Sequence, residues 1–112
     1  MSISCYKKSG VEIIVLEGNI QQNEADELED ILHMYLENNQ CNILIDLQKV
    51  KSLGSAALGL MVSYKKIFFE KHGDLKLVVD SPHMAELFKV TMLNKVFDIS
   101  DMLQDALNSF QK

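Results

Sequence analysis

Apolar residues along this chain alternate with polar ones, run together, or recur every three to four positions, and the changes between these patterns mark its elements. Ile3-Ser4-Cys5-Tyr6 alternates, Lys7-Lys8-Ser9-Gly10 supplies a turn, and Val11-Glu12-Ile13-Ile14-Val15-Leu16 resumes a β-branched run. Two strands joined so closely predict an antiparallel hairpin. Gly18-Asn19 breaks the run, and Asn23 is placed to cap a helix whose Leu28, Ile31, Leu32, Tyr35 and Leu36 share a face. Glu24, Asp26, Glu27, Glu29 and Asp30 crowd its first two turns. They read either as a solvated face that complements the helix dipole or as a docking surface for a basic partner.

Ile43-Leu44-Ile45 lacks alternation, as a strand covered on both faces does, so a strand is predicted from Asn42 to Leu47. Gln48 to Gly54 then forms a connection, and a helix runs from Ser55 to about Lys71, where His72-Gly73-Asp74 stops it. Leu75 to Val79 is the next strand. Ser81-Pro82 gives an N-cap and a proline at the first helical position, opening a helix through about Met92. Val96 to Ile99 reads as a short strand, and Ser100 caps a last helix with Leu103, Ala106, Leu107 and Phe110 on one face. The order ββαβαβαβα predicts an α/β fold with parallel pairs made by right-handed crossovers. With no repeat, linker or polar tract, residues 1–112 are expected to form one domain.

The helix that begins at Ser55 carries more apolar surface than one face needs. Positions 57, 60, 61, 64, 67 and 68 make a single stripe, yet Leu58 and Val62 point elsewhere. Either neighbouring helices cover them, or they form a patch that a partner covers. Ser55 itself has two readings. It is an N-cap accepting from the Ala57 or Leu58 amide, worth about 1 kcal/mol. Alternatively, it is a modifiable hydroxyl at a helix N-terminus, where a phosphate is tolerated, beside a surface suited to a switchable protein contact.

Composition narrows the chemistry. With 47% hydrophobic and 24% charged residues the chain has the composition of an ordinary globular protein, and its net charge of −5 with no basic stripe argues against a nucleic-acid partner. No basic flank precedes an apolar run near the start and no run reaches the ~20 residues of a bilayer span, so a cytoplasmic protein without membrane insertion is expected. Cys5 and Cys41 are read as buried, reduced thiols. His33, His72 and His83 form no metal-ligand spacing with them, so no metal site is expected. Leu53-Gly54-Ser55-Ala56-Ala57 lacks the flanking glycines of a hydrolase elbow, and Gly54 and Gly59 match neither phosphate-loop nor dinucleotide spacing. No catalytic residue and no cofactor are expected.

Leu47 through Tyr64, with Gly54-Ser55-Ala56-Ala57-Leu58-Gly59 at its centre, resembles the D-S-[ST]-G-L-G signature of STAS domains, a family that includes bacterial anti-sigma factor antagonists. Leu16-Glu17-Gly18-Asn19-Ile20 resembles the family's strand-ending L-x-G-x-L, and Ile43-Leu44-Ile45-Asp46-Leu47 its central strand. Leu93-Asn94-Lys95-Val96-Phe97, followed by Ala106-Leu107, resembles its ending, so the likeness spans about residues 10–110. It implies a mixed four- or five-stranded sheet with helices mainly on one face. It also implies a switch: an anti-sigma factor with serine kinase activity binds the unmodified protein and phosphorylates Ser55, and a PP2C-type phosphatase reverses the modification. On that likeness Gly54, Ala56, Leu58 and Gly59 shape the docking surface with Gln21 and Ser52, Ser52 is the alternative acceptor to Ser55, and the chain is a monomer or weak dimer. The chain departs from the pattern at Gly54, Ala57, Gln21 and Met92, where the family has aspartate, glycine, an acidic residue and glycine. The missing carboxylates favour a second reading, a constitutive scaffold or subunit of a stress-signalling or membrane-transport complex without phosphorylation.

Overall fold

The computed structural model describes residues 2–111; Met1 and Lys112, the ends of the expected unit, lie outside the described residues. The hairpin forms as predicted from β1 (Ile3–Lys8) and β2 (Val11–Ile20), paired antiparallel from Ile3↔Leu16 to Lys8↔Val11. The turn is tighter than expected. Only Ser9 and Gly10 lie outside the strands, both with positive φ (55° and 78°), which the two-residue turn of a twisted hairpin requires. Lys7 and Lys8 therefore belong to the strand.

β2 does not end at Gly18-Asn19. Gly18 takes φ 86°, a conformation open to a residue without a Cβ, and irregularities between Val15 and Glu17 and between Gly18 and Asn19 let the strand continue to Ile20. Its parallel partner β3 (Asn42–Leu53) is longer than predicted for the same reason. Glu17 pairs with Lys49, Gly18 with Val50 and Ile20 with Leu53, so the polar stretch after Leu47 is held as strand by its neighbour. β4 (Asp74–Val78) and the short β5 (Ile99–Ser100) add in parallel, giving one five-stranded sheet in the order β1-β2-β3-β4-β5.

The helices are α1 (Gln22–Glu37), α2 (Ser55–Glu70), α3 (Pro82–Val90) and α4 (Leu103–Ser109). α1 starts before Asn23: Gln21 is the cap, its N–H donating to Glu24 Oε1 at 2.8 Å. Ser81 caps α3 as predicted, accepting from the Met84 N–H at 3.2 Å. α3 stops at Val90, and Met92 takes φ 64° before a single 3₁₀ turn at Leu93–Lys95. That turn occupies part of the segment expected to be strand, so β5 begins only at Ile99. Ser100 lies in β5, and Met102 precedes α4, in place of the predicted serine cap.

Strand alternation divides the core into two layers. Ile14, Leu16, Ile20, Ile43, Ile45, Leu47, Leu75 and Leu77 face α1, α2 and α3, whose Leu28, Leu32, Met61, Phe68, Met84 and Phe88 join the same cluster. Val11, Ile13, Leu44 and Val78 point to the other face, covered by Ala106 and Leu107 of α4. Three helices on one face and one on the other match the expected layering. Lys76 is buried on the α4 face and fastens that helix: its Nζ donates to Ser109 Oγ (2.8 Å) and Ser109 O (3.1 Å), pairs with Asp98 (3.1 Å) and lies 4.8 Å from the Phe110 ring centre. The thiols are not both buried. Cys5, on the edge strand, is exposed, and Cys41, immediately before β3, is half-buried.

Candidate partner-binding site

Two adjacent parallel strands end side by side, and each hands the chain to a helix. β2 passes through Gln21 into α1, and β3 passes through Gly54 into α2. The Gly54 N–H donates to Ile20 O at 2.9 Å, which ties the two junctions together. Residues 33 positions apart in sequence thereby share one surface.

Ser55 is the first residue of α2 and is exposed. It is not the cap. Gly54 holds that position with extended backbone (φ −76°, ψ 166°), its carbonyl accepts from the Leu58 N–H at 3.2 Å, and no side chain caps the helix. Its hydroxyl therefore stands at the electropositive end of α2 without serving the first turn. Gly59, one turn on, is exposed with open space beyond its Cα. Ala56 and Leu58 are half-buried, as is Val62, and all three pack in part against the main core. The domain thus covers Leu58 and Val62 only in part and leaves the rest of each exposed. Of the predicted stripe, Ala57, Met61, Tyr64 and Phe68 are buried, while Leu60 and Ile67 are half-buried against the main core.

Ser52 and Gln21 border the same junction. Ser52 Oγ donates to Asn19 Oδ1 at 2.7 Å and accepts from Gln21 Nε2 at 3.5 Å. The structure brings all seven predicted residues (Gln21, Ser52, Gly54, Ser55, Ala56, Leu58 and Gly59) to the ends of β2 and β3 and the first turns of α2. It adds Asn19, which sequence reasoning passed over as part of a chain break. Only the bulged register, which sets Asn19 opposite Ser52, gives it a place here. Along α2 the Tyr64 hydroxyl is pushed above its ordinary pKa by burial and, to a lesser extent, by the charges of Glu29 and Asp30 of α1.

An open hollow of about 450 Å³ lies at the other end of the strands, lined by Asn39, Cys41, Asn42, Lys71, His72 and Gly73. It contains none of the predicted residues. Among the described residues no group of three or more His, Cys, Asp or Glu is placed to hold a metal, and no helix is long and apolar enough to cross a membrane.

The family model for the STAS domain matches residues 2–106. The chain belongs to the STAS domain family. A candidate anti-sigma factor antagonist of Bordetella bronchiseptica, BtrV, is 23% identical over 111 residues, covering 99% of this chain and 96% of that protein. An anti-sigma factor antagonist from Mycobacterium paratuberculosis superposes with a TM-score of 0.88 at 24% identity, covering 98% of this chain and 93% of the other. The Bacillus cell fate determinant SpoIIAA, solved in its phosphorylated form, superposes at 0.75 with 14% identity over 96% of this chain and 97% of its own. These likenesses give this STAS chain relatives named as antagonists, and the fold agrees throughout.

Proposed function

We propose that this STAS chain is a regulatory, non-enzymatic anti-sigma factor antagonist whose residues 1–112 act as one unit in the cytoplasm. It docks an anti-sigma factor through the first turns of α2 and is switched off by phosphorylation at Ser55. Ser55 is the acceptor. Gly54, Ala56, Leu58 and Gly59 shape the landing surface, with Gln21 and Ser52 at its rim. The observation that carries the reading is the position of Ser55, exposed at the first residue of α2 while Gly54 takes the cap. A hydroxyl in that place can change its charge without disturbing a helix it does not hold.

The anti-sigma factor serves as kinase, the Ser55 Oγ attacking the γ-phosphorus of ATP as ADP leaves and the hydroxyl proton passes to a base of the kinase. A PP2C-type phosphatase returns the hydroxyl, and the chain itself works as a monomer or weak dimer. A phosphate brings about −1.5 to −2 charges. At the α2 N-terminus it is favoured by roughly 0.3–1 kcal/mol, so the fold persists. Against a partner packed on Ala56, Leu58 and Gly59, an unpaired dianion costs several kcal/mol. The relative solved in a phosphorylated form supports this reading.

Incubation with the kinase partner and ATP, followed by mass spectrometry, tests it. A single phosphate on Ser55 is expected. No phosphate there, with undiminished partner binding by Ser55→Asp, would overturn the switch. The uncharged pair Gly54 and Gln21 favours one other reading, a constitutive STAS scaffold in a stress-signalling or membrane-transport complex. In that case, affinity capture returns a structural assembly or a transporter, and Ser55 stays unmodified in cells.

A further inference from the structure

Gly54 is the only residue between β3 and α2, and the space beside it is already taken. A Cβ built on Gly54 would lie 3.2 Å from Gln21 Oε1 and 3.3 Å from Ile20 O. The first is a side-chain atom from a different strand end, the second a backbone atom that cannot withdraw. Gln21 is held toward this space by its Nε2, which reaches Ser52 Oγ at 3.5 Å, while Ser52 in turn is fixed to Asn19 at 2.7 Å. The side chain that fills the space beside residue 54, one position before Ser55, therefore comes from Gln21. It is a neutral carboxamide, which offers both an acceptor and a donor and can invert between them.

We propose that Gln21 is the positioning residue of the Ser55 switch: its carboxamide seats over the vacant side of Gly54 and governs the charge state of a phosphate carried next door. The inference rests on Ser55 being the modified residue. It has two consequences. A Cβ at position 54 meets Gln21 Oε1 as well as Ile20 O, and loss of the Gln21 side chain relieves one of these two approaches, so the two positions are energetically coupled. The protonation of a phosphate on Ser55 responds to residue 21, because an amide beside a dianion can turn its N–H outward whereas a carboxylate repels it.

Both are measured on the full chain without any partner. In the first experiment, thermal unfolding compares wild type, Gly54→Ala, Gln21→Ala and the double variant. Alanine is a poorer cap than glycine in either background, and the cycle removes that common cost. Gly54→Ala is expected to lower Tm by about 2 °C less in the Gln21→Ala background than in wild type. In the second, phosphoserine is installed at position 55 by genetic code expansion, and its second ionisation is followed by ³¹P NMR. Gln21→Glu is expected to raise the midpoint by about half a pH unit, as for unit charges roughly 6 Å apart in a water-like medium. Gln21→Ala should raise it by less, through loss of a donor. Additive Tm losses overturn the proposal, and so does a midpoint unmoved by Gln21→Glu. Neither readout involves a kinase or an anti-sigma factor. A chain that failed to bind one could still show both effects, so failure here is distinct from failure of the proposed function.

Discussion

Replacing Ser55 by alanine separates a structural hydroxyl from a free one. Were Ser55 the cap of α2, its loss would cost about 1 kcal/mol, or about 4 °C in Tm for a chain of this size. Gly54 is the cap, however, Ser55 is exposed, and no side chain closes the first turn. What remains is a surface substitution at a helix start, where changes stay within about 0.5 kcal/mol. Ser55→Ala should therefore move Tm by less than about 2 °C. Ser55→Asp should gain roughly 0.3–1 kcal/mol from the unscreened N-terminus of α2, a gain that fades as salt rises. Urea unfolding at low and high ionic strength, with the slope compared between variants, reads both effects. A loss of about 1 kcal/mol or more in Ser55→Ala at unchanged slope would refute the assignment of the cap to Gly54.

Three further changes probe the frame that holds the site. Gly73→Ala would set a Cβ 2.6 Å from the Cys41 carbonyl carbon, and the backbone there is fixed by the Asp74 N–H to Cys41 O bond at 2.9 Å. A loss of about 2–3 kcal/mol is expected, seen as a Tm roughly 10 °C lower, and a wild-type Tm would contradict it. Asp46 is buried, and desolvation with the charge of Asp80 raises its carboxyl above the ordinary range against the Gln48 N–H. The folded pKa lies above the unfolded one, so stability present at acid pH is lost as pH rises through the folded value. Asp46→Asn, whose Oδ1 can still accept from Gln48, should be more stable than wild type at neutral pH, with the difference closing on acidification; a gap independent of pH in urea titrations would refute this. Lys76→Ala removes both Ser109 contacts, the Asp98 pair and the ring beneath it, costing about 2–3 kcal/mol. Hydrogen exchange should quicken first in 103–109, and uniform quickening across the sheet would argue against a local fastening.

The periodic segments of the sequence carried most of the fold. The stripes of α1 and α2 and the uninterrupted Ile43-Leu44-Ile45 are dictated by burial, which leaves a direct trace in residue type. Elements fixed by pairing left no such trace. Gln48 to Ser52 is polar and reads as a loop, yet it is strand because the end of β2 lies beside it; Gly18-Asn19 reads as a stop, yet a bulge carries the strand past it. Helix starts misled for a related reason. Asn23, Ser55 and Ser100 are good caps by type, but the chain turns into its helices at Gln21, Gly54 and Met102. For Ser55 the residue type allowed both a cap and a modifiable hydroxyl, and the geometry removes the first by giving the cap to Gly54. The grouping of Gln21 with Gly54 was visible through family likeness alone. That their side-chain spaces compete depends on the register of β2 against β3, which no local pattern encodes.

The most direct test titrates the anti-sigma factor with the unmodified chain and with the chain phosphorylated at Ser55, under one set of conditions. A penalty of about 3 kcal/mol at the interface means a more than hundredfold loss of affinity, with Tm of the free chain unchanged or raised by up to about 4 °C. Equal affinity of the two forms, or a phosphorylated chain that unfolds instead of merely failing to dock, would contradict the account.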